Sequence, residues 1–376
     1  MADPVRHRNC NAAWIVVAVL CVIPVGPVAP ALCADDHIGG AAKTSETETT
    51  GDTKKTGETE KSEDATETKV DLTKLSLEEL MDIEVTIASR KPEKVFDTAS
   101  AVYVLTGEDI KRSGATNIPD ALRLVPGLDV AHTSGNEWAI TSRGFNGVYA
   151  NKLLVLVDGR SVYCTVTSGV FWDVQDVVLE DIDRIEVIRG PGSAMWGANA
   201  VNGVINIITK PASDTQGTLV SETSGSVVQN ISVVRHGAKS GKNGHYRVFG
   251  KHLKQGPFVD PMGNDTNDSY DILHGGFRAD WNASKSDLVT LSGDVYNGAR
   301  NETQIRPFLT EPYMRPVPYN TAISGGNLLG RWTRACSETS DFTLQVYYDR
   351  LRLNRSLSFY AQDILDLDFQ HHVELD

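Results

Sequence analysis

The sequence has few cysteines, and none of them has the spacing of a metal site. Five occur in 376 residues, at Cys10, Cys21, Cys33, Cys164 and Cys336. No Cys-x-x-Cys pair is present, and the adjacent His371 and His372 would face opposite sides of a strand. We therefore expect Cys164 and Cys336 to be unpaired, and we expect no resident metal and no cofactor.

Positive charge is also scarce. Lysine and arginine number 36 against 49 acidic residues, a formal net charge of −13, so we expect no nucleic-acid partner. Nucleotide motifs are missing too: Met195 stands where the third glycine would follow Gly190 and Gly192, and no Gly-Lys-Ser/Thr is present there. No nucleophile–base or paired-carboxylate constellation stands out, so the sequence predicts no catalytic residues and no enzyme.

The chain lacks an apolar run long enough for a membrane-spanning helix. Its most apolar run, Trp14–Ile23, follows Arg6 and Arg8 and stops at Pro24, well short of the ~20 residues that a spanning helix needs. A basic start, a short apolar run and then small residues are typical of a secretory signal. We expect residues 1–34 to be a signal peptide and the protein to be exported.

Large apolar side chains are almost absent from residues 35–70. This stretch has ten acidic residues and five lysines, so burial cannot offset the entropy lost on ordering it. We expect a disordered linker here. The region 71–95 then holds a capping box that starts a short helix at Ser76, and a β-prone patch at Asp82–Ile87.

What the chain does contain is clearest at residues 181–211. Ile182, Arg184, Glu186 and Ile188 alternate with their neighbours, which predicts a strand. A glycine-rich turn and a run of small residues follow, and a β-branched strand is expected at 204–209. Two charges on one face of the first strand stand where an apolar core would not accommodate them.

Strand and helix signals alternate upstream of this region, which predicts an α+β domain over residues 96–211. Capping side chains and glycine stops mark the helices, and continuous apolar runs mark the strands. The expected elements are a strand at Ala101–Leu105, a helix from Thr106 to Gly114, a helix from Asn117 to Val125 and a strand at Leu153–Val157.

From residue 212 to 376 the helical patterns are replaced by long alternating segments, such as Phe342–Asp349 and Leu365–Leu375. Apolar-out, polar-in alternation over ~10 residues is typical of an antiparallel transmembrane β-barrel. A soluble sandwich would alternate too, with the opposite sense of inside, and the expected signal peptide and the domain ahead of these strands favour the barrel. We expect about eight such strands, whereas barrels that enclose another domain have about 22. The sequence therefore predicts an all-β but incomplete barrel, the truncated N-terminal part of a longer one.

Several separated motifs occur in one order: SRGF at Ser142–Phe145, IEVIRGP at Ile185–Pro191 and GVINIITK at Gly203–Lys210. In these residues the chain resembles the TonB-dependent outer-membrane receptors, closely over 83–211 and more loosely beyond. The resemblance implies that residues 96–211 are a plug domain, that 212–376 begin its barrel, and that the protein lies in the bacterial outer membrane.

The resemblance also implies a TonB box just before the plug, at Ile83, Glu84, Val85, Thr86 and Ile87. Such a box adds as a strand to the periplasmic energy-coupling protein TonB. The alternative is that this patch is an ordinary first strand of the plug.

Two further sets of residues follow from the resemblance. Arg143 and Arg189 stand where the family's plug arginines pair with glutamates of the barrel wall and lock the plug; the alternative is that both lie in water-filled gaps. Residues of the apical plug loops would contact substrate, although aromatic side chains in loops often only pack. These candidates are Asn136, Trp138, Tyr163, Phe171 and Trp172.

The function implied is active uptake of a scarce metal chelate, such as a ferric siderophore or cobalamin. TonB with its inner-membrane complex and the outer-membrane lipid would be the partners, and no covalent chemistry is needed. The alternatives are a binding or signalling scaffold that does not transport, and a non-functional truncated fragment.

Overall fold

The computed structural model describes residues 84–87, 93–94, 100–144, 146–148, 152–165, 167–197, 199–355 and 358–374. Several expected features lie outside the described residues. They are the signal peptide (1–34), the linker (35–70), the helix at Ser76, Ile83 of the expected TonB box and Phe145 of the SRGF motif.

The N-terminal part combines short strands with short helices. The strands are β1 (Glu84–Val85), β2 (Glu93–Lys94), β3 (Val102–Thr106), β4 (Leu128–Ser134), β5 (Glu137–Ser142), β6 (Leu153–Val157), β7 (Arg160–Ser161), β8 (Ile182–Ile188) and β9 (Gly203–Thr209). The helices are α1 (Gly107–Ser113), α2 (Ile118–Leu122) and α3 (Ser193–Trp196), with 3₁₀ turns at Trp172–Val174, Leu179–Asp181 and Ala212–Thr215. We call the described part of residues 100–211 the plug domain.

A mixed five-stranded sheet forms the centre of the plug domain. Its strand order is β3-β8-β9-β6-β7, with β6 parallel to β9 and the other neighbours antiparallel. The two strands predicted around the glycine-rich turn are β8 and β9, which lie side by side in this sheet. β4 and β5 form a separate hairpin.

The structure confirms where the two predicted helices of the plug domain begin. Thr106 and Asp109 form a reciprocal capping box at α1, and Gly114 ends that helix in the left-handed conformation. Asn117 caps α2 through the Asp120 N–H, at 2.8 Å. This second helix ends at Leu122, three residues before the predicted Val125. Arg123, Leu124 and Val125 donate to carbonyls three residues back, in a tighter turn than an α-helix, and Pro126 disfavours the helical conformation at Val125.

After the plug domain, eight strands form one antiparallel sheet in sequential order. They are β10 (Gly217–Thr223), β11 (Val228–Ser240), β12 (Gly244–Gln255), β13 (Tyr270–Asn282), β14 (Asp287–Pro307), β15 (Met314–Ser337), β16 (Ser340–Arg355) and β17 (Ser358–Val373). The predicted fold class, an α+β plug followed by antiparallel strands of an incomplete barrel, is confirmed. None of the described helices is long and apolar enough to cross a membrane.

The two faces of this sheet differ in the way the alternation predicts. Leu365 and Leu367 point outward and are 75% and 68% exposed, whereas Lys251 and Arg300 point toward the plug domain and are 2% and 1% exposed. One apolar cluster joins plug residues such as Ile205 to sheet residues such as Ile272. Apolar side chains therefore cover much of the outer face, whereas the inner face meets the plug with both charged and apolar side chains.

Candidate functional site

The expected TonB box is described at residues 84–87, where it packs on the plug domain. Val85 and Ile87 are fully buried. Ile87 lies in an apolar cluster with Leu154, Leu156 and Val204, on strands β6 and β9. The extended conformation ends at Val85, and Thr86 and Ile87 bend. The predicted six-residue strand is therefore only two residues long among the described residues.

The cause of the bend is the carboxylate of Glu186, which is fully buried. It accepts the Thr86 N–H at 3.1 Å and the Ile87 N–H at 2.8 Å, and it also accepts the Thr86 hydroxyl at 3.2 Å. In an extended strand, successive N–H groups point to opposite sides. One carboxylate can collect both only if the chain turns.

Arg184 holds this carboxylate from within the same strand. Its Nε donates to Glu186 Oε1 at 2.8 Å, and its Nη1 donates to Asp183 at 2.6 Å. Burial opposes the charge of the Arg184 guanidinium, but the two carboxylates outweigh burial and raise its pKa. The charges that looked misplaced on β8 thus form a compensated site beneath residues 84–87.

Helix α3 supplies a further contact to the same segment. Trp196 Nε1 donates to the Ile87 carbonyl at 2.7 Å, and its ring packs on the apolar cluster around Ile87. The glycine turn before α3 lets the helix start close to β9: a side chain at Gly192 would come within 2.9 Å of Val204. The sequence predicted the turn, but not this contact.

The two motif arginines lie next to each other, and their hydrogen bonds go to backbone carbonyls. Arg143 is exposed and donates to the Arg189 carbonyl at 2.8 Å, while Arg189 donates to the Pro126 carbonyl at 3.0 Å. Arg143 has a φ of 62°, in the left-handed region. The implied lock between these arginines and wall glutamates remains a prediction.

The β4–β5 hairpin carries the first two candidate substrate contacts, and both are buried. Asn136 is 2% exposed and donates to the carbonyls of Asp268 and Asn301, at 3.0 and 2.7 Å. Trp138 is 3% exposed and stacks on His132, with ring centroids 4.5 Å apart. In this conformation neither side chain can reach a ligand, so their predicted role requires the hairpin to move.

Asp268, in the connection before β13, holds the tip of the same hairpin. Its Oδ2 accepts the Gly135 N–H at 2.8 Å, and its Oδ1 accepts the Phe258 N–H at 3.0 Å. A Cβ at Gly135 would lie 2.5 Å from the Asp268 carbonyl oxygen, so the contact requires glycine. This carboxylate, together with the two Asn136 hydrogen bonds, fixes the hairpin tip to the sheet and its connection.

The other three candidates lie at 163–172. Tyr163 and Trp172 are buried, and burial raises the pKa of Tyr163 to about 12. Phe171 is half-buried and contacts Tyr360 and the Arg300 guanidinium, with 6.5 and 5.7 Å to the ring centroid. Phe171 is therefore the most accessible of the five predicted substrate contacts, and their binding role remains a prediction.

Sequence reasoning missed the main charged contact between plug and sheet, which consists of plug aspartates and sheet cations. Asp173, Asp176 and Asp181 are buried in or between two 3₁₀ turns, Asp158 is half-buried after β6, and each cation points inward from its strand. The pairs are Asp173 with Arg300 at 2.6 Å, Asp176 with Lys251 at 2.5 Å, Asp181 with Arg247 at 3.2 Å and with Arg235, and Asp158 with Arg278 at 3.8 Å. One further pair, Arg160 of β7 with Asp349 of β16, has the opposite polarity. The sequence did contain a signal for the main charged contact: Arg247 and Lys251 are four residues apart on one strand, so both side chains lie on the same, inner face of the sheet.

Comparisons with known proteins agree with this architecture. The family model described as the TonB-dependent receptor plug domain matches residues 94–204. The vitamin B12 transporter BtuB of Vibrio cholerae is 32% identical over 198 residues, which cover 52% of this chain and 31% of that protein. BtuB of Vibrio vulnificus is 29% identical over 296 residues, 77% of this chain and 43% of that protein. The chain thus spans less than half the length of these relatives.

Solved structures show the same fold at low identity. The Pseudomonas aeruginosa receptor FpvA in complex with a ferric pyoverdine has a TM-score of 0.58 and 15% identity, and the match covers 75% of this chain and 39% of FpvA. The plug match, the order of the motifs and the apolar outer face of the sheet lead to one assignment. These findings support a TonB-dependent receptor of the outer membrane, with a plug domain that matches over residues 94–204 and eight antiparallel strands after it; the proteins that the chain resembles are receptors and transporters.

Proposed function

We propose that this receptor takes up a metal chelate across the outer membrane, driven by TonB, and that residues 83–87 are its TonB box. The observation that supports the box most directly is the way in which 84–87 is held. Its buried contacts are with one carboxylate, one indole and an apolar cluster, and its described strand is only two residues long. A segment held mainly by side chains can detach without breaking the plug sheet.

Cobalamin and ferric siderophores are the candidate substrates. The relatives with about 30% identity are named as vitamin B12 transporters, which makes cobalamin the first compound to test. Such chelates are large, and the barrel wall with its plug excludes them unless the plug rearranges. The apical residues Asn136, Trp138, Tyr163 and Trp172 would contact substrate only after such a rearrangement, whereas Phe171 is already partly accessible.

The experiment is uptake of labelled cobalamin, and separately of a ferric siderophore, by cells that carry the receptor. Val85→Pro removes one backbone donor that strand addition to TonB requires. We expect uptake to be lost while substrate binding to the cells is retained. Val85→Ile keeps the N–H and the β-branched shape, and it should transport normally.

One outcome would contradict the TonB-box assignment, and a second would leave the transport defect unassigned. Undiminished uptake by Val85→Pro would place the TonB box elsewhere in the chain. Loss of binding together with uptake would mean that the substitution damages the plug itself, and the transport defect could not then be assigned to TonB.

A further inference from the structure

Strands β16 and β17 carry a group of charged and polar side chains on the outer face of the sheet. It consists of Tyr348, Arg350, Arg352 and Asp363, which we call the outer cluster. Tyr348 lies opposite Leu365, which is 75% exposed and marks the outer face. Arg350, two residues further along β16, lies opposite Asp363. Side chains two residues apart on a strand share a face, as do side chains paired directly across strands. The outer cluster therefore faces the lipid around a transmembrane barrel.

The outer cluster lies at one edge of the apolar band on this face. The other edge is marked by Phe342, whose ring contacts those of Trp332 and Phe369, with centroids 5.0 and 5.9 Å apart. Aromatic side chains gather at the two membrane interfaces of such barrels. Arg352 follows Phe342 by ten residues. Ten residues of a strand tilted by ~40° rise about 25 Å, which is the height of the apolar band.

The connections between strands identify the leaflet that the outer cluster meets. At the Phe342 end of the sheet, β15 and β16 are joined by a turn of two residues. At the Arg352 end, β12 and β13 are joined by residues 256–269. Outer-membrane barrels have short periplasmic turns and longer extracellular loops. The outer cluster therefore lies level with the headgroups of the outer leaflet, whose phosphorylated glycolipid is anionic.

Two guanidinium groups share one carboxylate in the outer cluster. Asp363 accepts the Arg352 Nη2–H and the Tyr348 hydroxyl, each at 2.5 Å. Arg352 is held further by the Gln362 carbonyl, at 2.9 Å from its Nη1. Arg350 Nε lies 3.8 Å from Asp363, too far for a hydrogen bond, and its side chain is 54% exposed. Among the described residues Arg350 has no hydrogen-bond partner, so the outer cluster has one uncompensated positive charge.

The neighbouring strands leave space and polar groups beside Arg350. In the register of β15 and β16, Gly326 lies opposite Arg350, and Ser324 lies opposite Arg352. Asn297 of β14, which is exposed, lies opposite Ser324. Gly326 has no side chain that could cover the guanidinium, and the hydroxyl and amide can donate to the oxygens of a headgroup.

We propose that Arg350, with Ser324 and Asn297 beside it, binds a phosphate group of the glycolipid in the outer leaflet. A guanidinium and a phosphate form charge-assisted hydrogen bonds, often two in parallel. The phosphate compensates the charge that Asp363 leaves, and a cation at the edge of a lipid-facing surface is costly without such a partner. This site does not depend on which substrate the receptor carries or on its contact with TonB.

The test is titration of the full chain, in detergent micelles, with lipid A that carries both phosphate groups; native mass spectrometry counts the bound lipid. Arg350→Gln removes the charge, and we expect about tenfold weaker binding because the charge-assisted contacts are lost. Arg350→Lys keeps the charge but not the planar pair of donors, so a smaller loss is expected. Lys254→Gln, at an exposed cation near the extracellular end of β12, is the matched control and should bind normally.

Amide protection along β16 and β17 shows whether each variant keeps its sheet. If Arg350→Gln loses that protection, Arg350→Lys decides the question: weaker binding supports the site, and unchanged binding overturns it. Unchanged affinity in a folded Arg350→Gln, or an equal loss in Lys254→Gln, would also overturn the site.

Two further titrations test the chemistry of the ligand. Lipid A from which both phosphates have been removed should bind at least tenfold more weakly to the unmodified chain. Equal binding of that lipid would overturn the phosphate assignment. Displacement of lipid A by an equal concentration of inorganic phosphate would show a site for free anions, and it would overturn the assignment to a lipid.

Discussion

The plug domain carries two kinds of charged side chain toward its surroundings, and their partners differ. Its aspartates, among them Asp173, Asp176 and Asp181, pair with buried cations of the eight-stranded sheet. Its two motif arginines, Arg143 and Arg189, donate to backbone carbonyls of the plug itself. In the described part of the chain, most ion pairs between plug and wall therefore place the acid on the plug and the base on the wall, the opposite polarity to the lock implied by the family resemblance. One pair, Arg160 of the plug with Asp349 of β16, has the polarity of that lock.

This contrast shows how burial decides the importance of a charge. A buried ion pair gains strongly from its partner because neither group retains its water, so removal of one side is costly. An exposed guanidinium bonded to a carbonyl keeps most of its hydration, and its contribution is small. We therefore expect the aspartate pairs to hold the plug in this chain, and the exposed Arg143 to contribute little here. Arg189 is half-buried, so this argument does not apply to it.

The largest effect is expected at Asp173 and Arg300, which are about 2% and 1% exposed. Asp173→Ala leaves a buried guanidinium that already has unpaired Nε and Nη2 atoms, and we expect a loss of roughly 3–5 kcal/mol of stability. Denaturant unfolding of the refolded chain in micelles measures it. The double variant Asp173→Leu, Arg300→Leu should recover much of the loss. A double variant as unstable as the single one would show that packing, and not charge, dominates the site.

The next largest loss of stability is expected at Asp268, whose carboxylate accepts hydrogen bonds from backbone N–H groups instead of pairing with a cation. Asp268→Asn keeps the shape of the side chain but weakens its contacts with the Gly135 and Phe258 N–H groups. We expect the hairpin tip to be destabilised by about 1–3 kcal/mol. Amide exchange at Gly135 is the measurement, and protection along β12 is the internal control. If protection falls equally at both places, Asp268 stabilises the whole sheet and not the hairpin alone.

The backbone of the plug could be predicted from the sequence much better than its charged contacts. Alternation located β8, a β-branched run located β9, and Thr106, Gly114 and Asn117 marked the helix ends, because each signal is local. The role of Glu186 could not be predicted, because its partners lie about 100 residues earlier and the pattern of β8 alone shows only that a charge is misplaced.

The candidate ligand side chains show the same limit. Aromatic residues in loops can pack or bind, and the sequence cannot distinguish these roles at Trp138 and Trp172 until their neighbours are known. Both are buried against residues far along the chain or in other elements. The half-buried Phe171 differs from them only through its position at the edge of the same cluster.

A smaller loss of stability is expected at low pH, and its source is His132 in the β4–β5 hairpin. Burial lowers the pKa of His132, and this outweighs the contact between its ring and the Gly135 carbonyl. Since the unfolded chain takes up a proton near pH 6.5 and the folded chain only at lower pH, stability should fall as pH decreases below about 6.5. The unfolding midpoint, measured between pH 7.5 and 5.5, should fall less in His132→Phe, which keeps the stacking ring. Equal pH dependence in both proteins would exclude His132 as the source.

The smallest loss of stability is expected for a substitution at Arg143. It tests the comparison between plug aspartates and plug arginines at one of the arginines. Arg143→Gln removes an exposed guanidinium and its contact with the Arg189 carbonyl, so we expect a change of about 0.5 kcal/mol or less. Denaturant unfolding beside the Asp173→Ala variant gives the ratio directly. A loss as large as that of Asp173→Ala would mean that Arg143 meets a carboxylate and acts as the lock that the family resemblance implies. Amide exchange along β8 is then compared between this chain and a longer receptor that carries the same plug. If wall glutamates engage Arg143 and Arg189, amide protection along β8 should be higher in the longer protein. Equal protection in both proteins would exclude that lock.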